Sequence, residues 1–131
     1  NDDYHIYEIN IDGTGLHQLT SLPGVSDIDP VYLPDGKIIG GTTTAAGTGG
    51  EKKAELAELY VMNLATKEVE WHGTPIPDVG SYTDLYTTAK GLVYGVASQK
   101  YFFAFDPVTK KIVHTATTAK TTRRKTGTKT R

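Results

Sequence analysis

The chain contains no cysteine. A disulfide scaffold, a thiolate zinc site and haem attachment through a Cys-x-x-Cys-His run are therefore excluded. No apolar run approaches the roughly 20 residues of a membrane-spanning helix. No signal peptide is visible, because the sequence opens on the polar residues Asn1-Asp2-Asp3 and lacks an initiator Met. That opening predicts a fragment or a processed product. There is no His-Glu-x-x-His pattern and no Gly-x-Ser-x-Gly nucleophile elbow. The run Gly47-Thr48-Gly49-Gly50 lacks the Gly-Lys-Ser/Thr ending of a phosphate loop and reads as flexible loop. The sequence thus predicts no catalytic constellation, no metal and no cofactor.

Acidic residues are absent from residues 115–131, which carry a charge of +6, whereas residues 1–114 carry −7. The Thr-, Lys- and Arg-rich segment 117–131 has too little apolar surface to offset its ordering entropy and is expected to be a disordered basic tail. It also lacks an aromatic residue to stack on bases, so nucleic-acid binding is not expected. The remaining chain has enough apolar content, within 37% for the whole, to bury a core.

Its most informative feature is an internal repeat. Segments beginning at Ile6, Leu59 and Phe102 align without gaps. Each opens on a β-prone aromatic and aliphatic stretch, then places Asn10, Asn63 or Asp106 where a side chain can start a turn. Turn residues follow, Asp12-Gly13 in the first copy, and an aliphatic residue re-enters at Leu16, Val69 or Ile112. This is one hairpin written three times. It predicts equivalent, buried positions for Tyr7, Tyr60 and Phe103, and for Ile9, Met62 and Phe105.

Between the hairpins lie two further strand–turn–strand units, Pro30 to Gly40 around Asp35-Gly36, and Asp84 to Gly95 around Lys90-Gly91. Asp-Gly is a strong hairpin turn, and the second unit reads with one extra residue before its turn. Residues 43–56 read as a loop insertion of about twelve residues relative to the second copy. About ten strands are expected and no convincing helix, in units near 1–20, 27–72 and 81–115. Both faces of the strands carry apolar residues, as in sheets covered on both sides.

The stretch Ile6-Tyr7-Glu8-Ile9-Asn10, Asp12-Gly13, Gln18-Leu19-Thr20 and Asp29-Pro30-Val31-Tyr32-Leu33-Pro34-Asp35-Gly36-Lys37 resembles the repeat of TolB-type, WD-like β-propellers. Leu59 to Asn63 fits the same strand. Residues 83–107 resemble a looser propeller blade, without the Asp-Pro and Pro-Asp-Gly pairs. The resemblance implies an all-β, incomplete β-propeller of about two and a half four-stranded blades, short of the four or more that close a ring. It implies a bacterial, often exported protein, periplasmic or extracellular, and fixes no activity. The expected role is a non-catalytic binding or scaffold module for a protein or small ligand. The alternative is the propeller part of a larger peptidase or polysaccharide lyase. Expected partners are a protein or the remaining blades, with self-association through unpaired blade edges.

Candidate ligand-binding residues follow from that arrangement. Asp27, Asp29 and Asp84 precede inner strands, whose ends line a propeller's axial channel, and a carboxylate ring there suits a cation or basic group. Asp29 and Asp84 equally suit a structural role as turn formers. Trp71 suits stacking on a sugar or a proline-rich peptide, or packing against the loop carrying Pro75 and Pro77. The histidines His17, His72 and His114 fall at offsets that do not superpose, which argues against a shared metal site.

Overall fold

The computed structural model describes residues 4–21, 26–44 and 56–117. Ten strands form: β1 (Tyr7–Glu8), β2 (His17–Gln18), β3 (Ser26–Tyr32), β4 (Ile38–Thr43), β5 (Leu59–Asn63), β6 (Glu68–Gly73), β7 (Tyr82–Thr87), β8 (Val93–Ala97), β9 (Tyr101–Asp106) and β10 (Lys111–Thr117). No helix occurs among the described residues. All pairing is antiparallel, in a two-stranded sheet β1-β2 and two four-stranded meanders, β3-β4-β5-β6 and β7-β8-β9-β10. Most of the expected insertion at 43–56 and nearly all of the expected tail at 117–131 lie outside the described residues.

The turns show why the sequence repeats. Asn63 Oδ1 accepts from the amides of Ala65 and Thr66 at 2.9 and 3.2 Å, and Asp106 Oδ1 accepts from Val108 and Thr109 at 2.8 and 3.4 Å. Each turn closes through a left-handed lysine, Lys67 or Lys110, whose amide bonds back to the carbonyl of Asn63 or Asp106 at 2.8 Å. The first hairpin departs from this scheme. There Asp12, not Asn10, accepts the amide two residues on, from Thr14 at 2.9 Å, and the positive φ angles fall on Gly13 and Gly15.

The strand pairs β3-β4 and β7-β8 match at a constant spacing of 55 residues. The amides of Gly36 and Gly91 bond to the carbonyls of Leu33 and Thr88 at 3.0 and 2.9 Å, and both glycines take φ near +90°, the left-handed conformation their turn requires. The extra residue expected before Lys90-Gly91 is therefore absent: Asp29, not Pro30, is the partner of Asp84. Each aspartate sits in a β-bulge, between Ile28 and Val31 or between Thr83 and Tyr86, with φ of 51° and 56°. A bulge needs one residue turned out of the pleat, and aspartate tolerates left-handed φ better than most side chains do.

The two four-stranded sheets share one core, with Ile39, Leu59, Val61, Tyr82, Val93, Phe103 and Phe105 almost fully enclosed. Each such side chain contributes about 1.5–3 kcal/mol relative to exposure. The sheets approach closely between β4 and β7, where a Cβ on Gly41 would lie 2.0 Å from the Tyr82 carbonyl oxygen. Farther out the spacing is filled by Trp71 of β6 stacked on Phe105 of β9, ring centroids 5.4 Å apart. Polar bonds stitch the seam: the Asp84 amide donates to Asp29 Oδ2 at 2.7 Å, and Thr87 Oγ1 donates to the Tyr32 carbonyl at 2.7 Å.

The burial expected from the repeat holds for Tyr60, Met62, Phe103 and Phe105 and fails for Tyr7 and Ile9, which are 52% and 56% exposed. The reason is architectural. The later copies sit inside four-stranded sheets, whereas among the described residues β1 pairs only with β2.

Candidate functional site

The outer face of the β3–β6 sheet meets the residues that follow β2 in an open cleft of about 450 Å³. That volume lies in the range of small-molecule sites. Strand alternation turns Tyr60 and Met62 of β5 toward the cleft, and Val61 between them toward the central core. Leu19, Met62 and Val69 supply apolar wall; Asp27, Tyr60 and His72 supply polar groups.

Tyr60 is the unusual member. Its ring lies across Gly40, where a Cβ would come within 2.3 Å of the hydroxyl oxygen. The residue is 5% exposed, and its hydroxyl has no hydrogen-bond partner among the described residues. Burial, and then the nearby charge of Asp27, pushes its pKa well above the ordinary phenol value. The group is thus a neutral O–H throughout the physiological range. A buried hydroxyl left unpaired costs about 1–3 kcal/mol, so it requires an explanation in function or in packing.

Asp27 is equally enclosed, at 5% exposure. It is held from the N-terminal segment: its amide donates to the Tyr4 carbonyl at 2.9 Å, and its Oδ2 lies 3.2 Å from His5 Nδ1. At the rim His72 Nδ1 lies 3.0 Å from Glu58 Oε2. Beyond it, Lys67 Nζ binds Glu8, tying the β5-β6 turn to β1. The cleft therefore combines an apolar wall with a buried O–H group and a buried carboxylate.

The other anticipated residues lie elsewhere. Asp29 and Asp84 are exposed at the seam between the sheets, bonded to each other through the Asp84 amide, and Asp27 does not join them. No group of three metal-ligating side chains forms among the described residues. Trp71 is partly buried between the sheets, against Phe105. Asp12, Gly13, Asp35, Gly36 and Gly91 occupy turns; Asp35 Oδ1 accepts the Lys37 amide at 3.1 Å, and Thr14, bonding through both hydroxyl and amide, holds the Asp12 carboxyl below its usual range.

Sequence reasoning assigned Tyr60 to the core and did not pair His5 with Asp27 or Glu58 with His72. One signal was present: Tyr60 stands where the third repeat copy has Phe103. A hydroxyl added at a position that packing fills with phenyl calls for a partner. No protein-family model matches the chain, and no curated protein matches it in sequence.

Proposed function

We propose that the chain is a segment of an exported bacterial β-propeller and serves as a non-catalytic binding module that holds a small ligand or peptide side chain in the cleft over Tyr60. The two four-stranded meanders, superposable in their bulges and turns, support the propeller reading. On this reading the two four-stranded sheets are two blades, and closing a ring would take further ones. Export follows from the sequence resemblance.

The observation that carries the binding role is the buried Tyr60 hydroxyl, unpartnered among the described residues, in the same cleft as the buried Asp27 carboxylate. One group donates and the other accepts. A primary carboxamide on an apolar body satisfies both, with its carbonyl on Tyr60 and its NH₂ on Asp27. A carboxylate ligand does not, because it meets the charge of Asp27. Met62, the sole methionine, lines the cleft and gives a single methyl resonance as reporter. Benzamide should shift that resonance saturably, benzoate should not, and Tyr60→Phe should weaken the benzamide response. An indifferent resonance, or equal responses to amide and acid, would remove the basis for the reading.

A further inference from the structure

The gapless repeat sets Lys67 and Lys110 at the same position of its second and third copies. Both close their turns with a left-handed backbone, φ of 64° and 63°. Their surroundings differ. Lys67 Nζ binds the carboxylate of Glu8, which the preceding copy presents from β1. In the copy that precedes Lys110, the position of Glu8 is taken by Val61. Among the described residues the Lys110 ammonium bonds the Pro107 carbonyl and has no carboxylate within ion-pair reach. Glu70 feels its charge from farther off, but that carboxylate is held by Lys37 at 2.7 Å and Asn63 at 3.0 Å.

Where a second carboxylate would stand, the structure has a cleft of about 500 Å³ that both Val61 and Lys110 line. It lies at the end of the two four-stranded sheets where β3-β4, β7-β8 and β9-β10 turn. The turns nearly meet across the seam: a Cβ on Gly91 would rest 3.8 Å from Pro34 Cγ. Both walls therefore belong to sheets whose four strands are all in place. Leu33 and Val61, almost fully enclosed, give an apolar floor. Lys90, exposed and unpaired among the described residues, is a second ammonium on the same cleft. Asp35 and Asp106 line it as well, but their Oδ1 atoms accept the turn amides of Lys37 and Val108 at 3.1 and 2.8 Å. An ammonium beside apolar surface attracts an anion more strongly than one in open water does.

We propose that this cleft binds a small organic carboxylate with an apolar body. The carboxylate takes, beside Lys110 and Lys90, the place that Glu8 holds beside Lys67, and the apolar body covers Leu33 and Val61. The charge demanded is the reverse of that in the Tyr60 cleft, and the inference does not rest on the reading of that cleft.

The test titrates phenylacetate and phenylacetamide into the ¹⁵N-labelled full chain at low salt. The amides of Gly91 and Val108, residues that line the cleft, are the reporters. Saturable shifts are expected with the acid, and binding roughly tenfold weaker with the amide. Lys110→Gln should weaken the acid by a similar factor, Lys110→Arg should retain it, and Lys111→Gln, next in sequence but outside the cleft, should leave it unchanged. Because Lys110 also closes its turn, Lys90→Gln at an exposed position gives a second reading and should weaken the acid severalfold. Equal responses to acid and amide, undiminished binding in the Lys110→Gln and Lys90→Gln variants, or acetate matching phenylacetate would overturn the proposal. The Met62 methyl, read in the same samples, reports the Tyr60 cleft separately.

Discussion

Gly95 and Phe103 form a pair whose coupling can be measured. Alanine at position 95 gains strand propensity over glycine, by about 0.5–1 kcal/mol. Against this, its methyl would lie 2.6 Å from Phe103 Cζ and 2.8 Å from Leu85 Cδ2. Phe103 is 2% exposed and packed edge-on against Tyr82, centroids 5.7 Å apart, so the ring has nowhere to retreat. Overpacking of this kind costs about 1–3 kcal/mol. The steric term wins, and Gly95→Ala should destabilise by about 1–2 kcal/mol. Phe103→Ala opens a cavity and should cost about 3–5 kcal/mol. In the double variant the new methyl enters the vacated space, so the two costs should not add. A coupling of about 1 kcal/mol or more in the compensating direction is expected, within the range for residues in contact. Urea unfolding followed by Trp71 fluorescence reads all four stabilities, because that indole sits between the two sheets. Additive costs within about 0.3 kcal/mol would show that the ring does not rest on the glycine.

Tyr60→Phe removes the unpaired hydroxyl and should raise stability by about 1 kcal/mol in thermal or urea unfolding, while weakening the benzamide response. Tyr60→Ala should cost about 3–5 kcal/mol, whereas Tyr7→Ala, at the equivalent but exposed position, should change stability by under about 0.5 kcal/mol. Glu70 is held below the usual carboxylate range, chiefly by Lys37 Nζ at 2.7 Å and then by Asn63 Nδ2 at 3.0 Å. A depressed folded pKa contributes stability above the unfolded value and loses it as pH falls through the folded one. Glu70→Gln should therefore flatten the acid limb of the stability–pH curve and, because Glu70 is also what chiefly raises the Lys37 pKa, flatten the decline in the lysine range at alkaline pH as well.

The strand order was legible because turn chemistry is local. Asn63 and Asp106 announce their turns through side-chain bonds two and three residues on, and Gly36 and Gly91 through a conformation that other residues resist. The left-handed Asp29 was not legible, since the residue before a proline ordinarily stays extended. Its partner, the Asp84 amide, lies 55 positions away and leaves no trace in the local pattern. The exposure of Tyr7 and Ile9 escaped for a related reason: a repeat specifies what a strand presents and says nothing of what arrives to cover it. The cleft brings together Asp27, which bonds His5 from a third segment, and Tyr60; Asp27 was legible as a candidate, and Tyr60 only through its hydroxyl, where Phe103 suffices elsewhere.

The two four-stranded sheets meet on a glycine at one place and on large rings at another. Near β4 and β7 a bare glycine lets one backbone rest on another, and toward β6 and β9 an indole and a phenyl ring hold the sheets apart. A wedge repeated turns through a constant angle, and the number of sheets that complete a circle is that angle divided into a full turn. In a propeller of such sheets, as proposed above, that angle would be written in side-chain volume, from Gly41 to Trp71. Enlarging the thin end or trimming the thick end would change the curvature of an array without altering any strand, turn or hydrogen-bond register. Circumference in such an assembly is thus a quantity that a few substitutions, far from any binding surface, are able to tune.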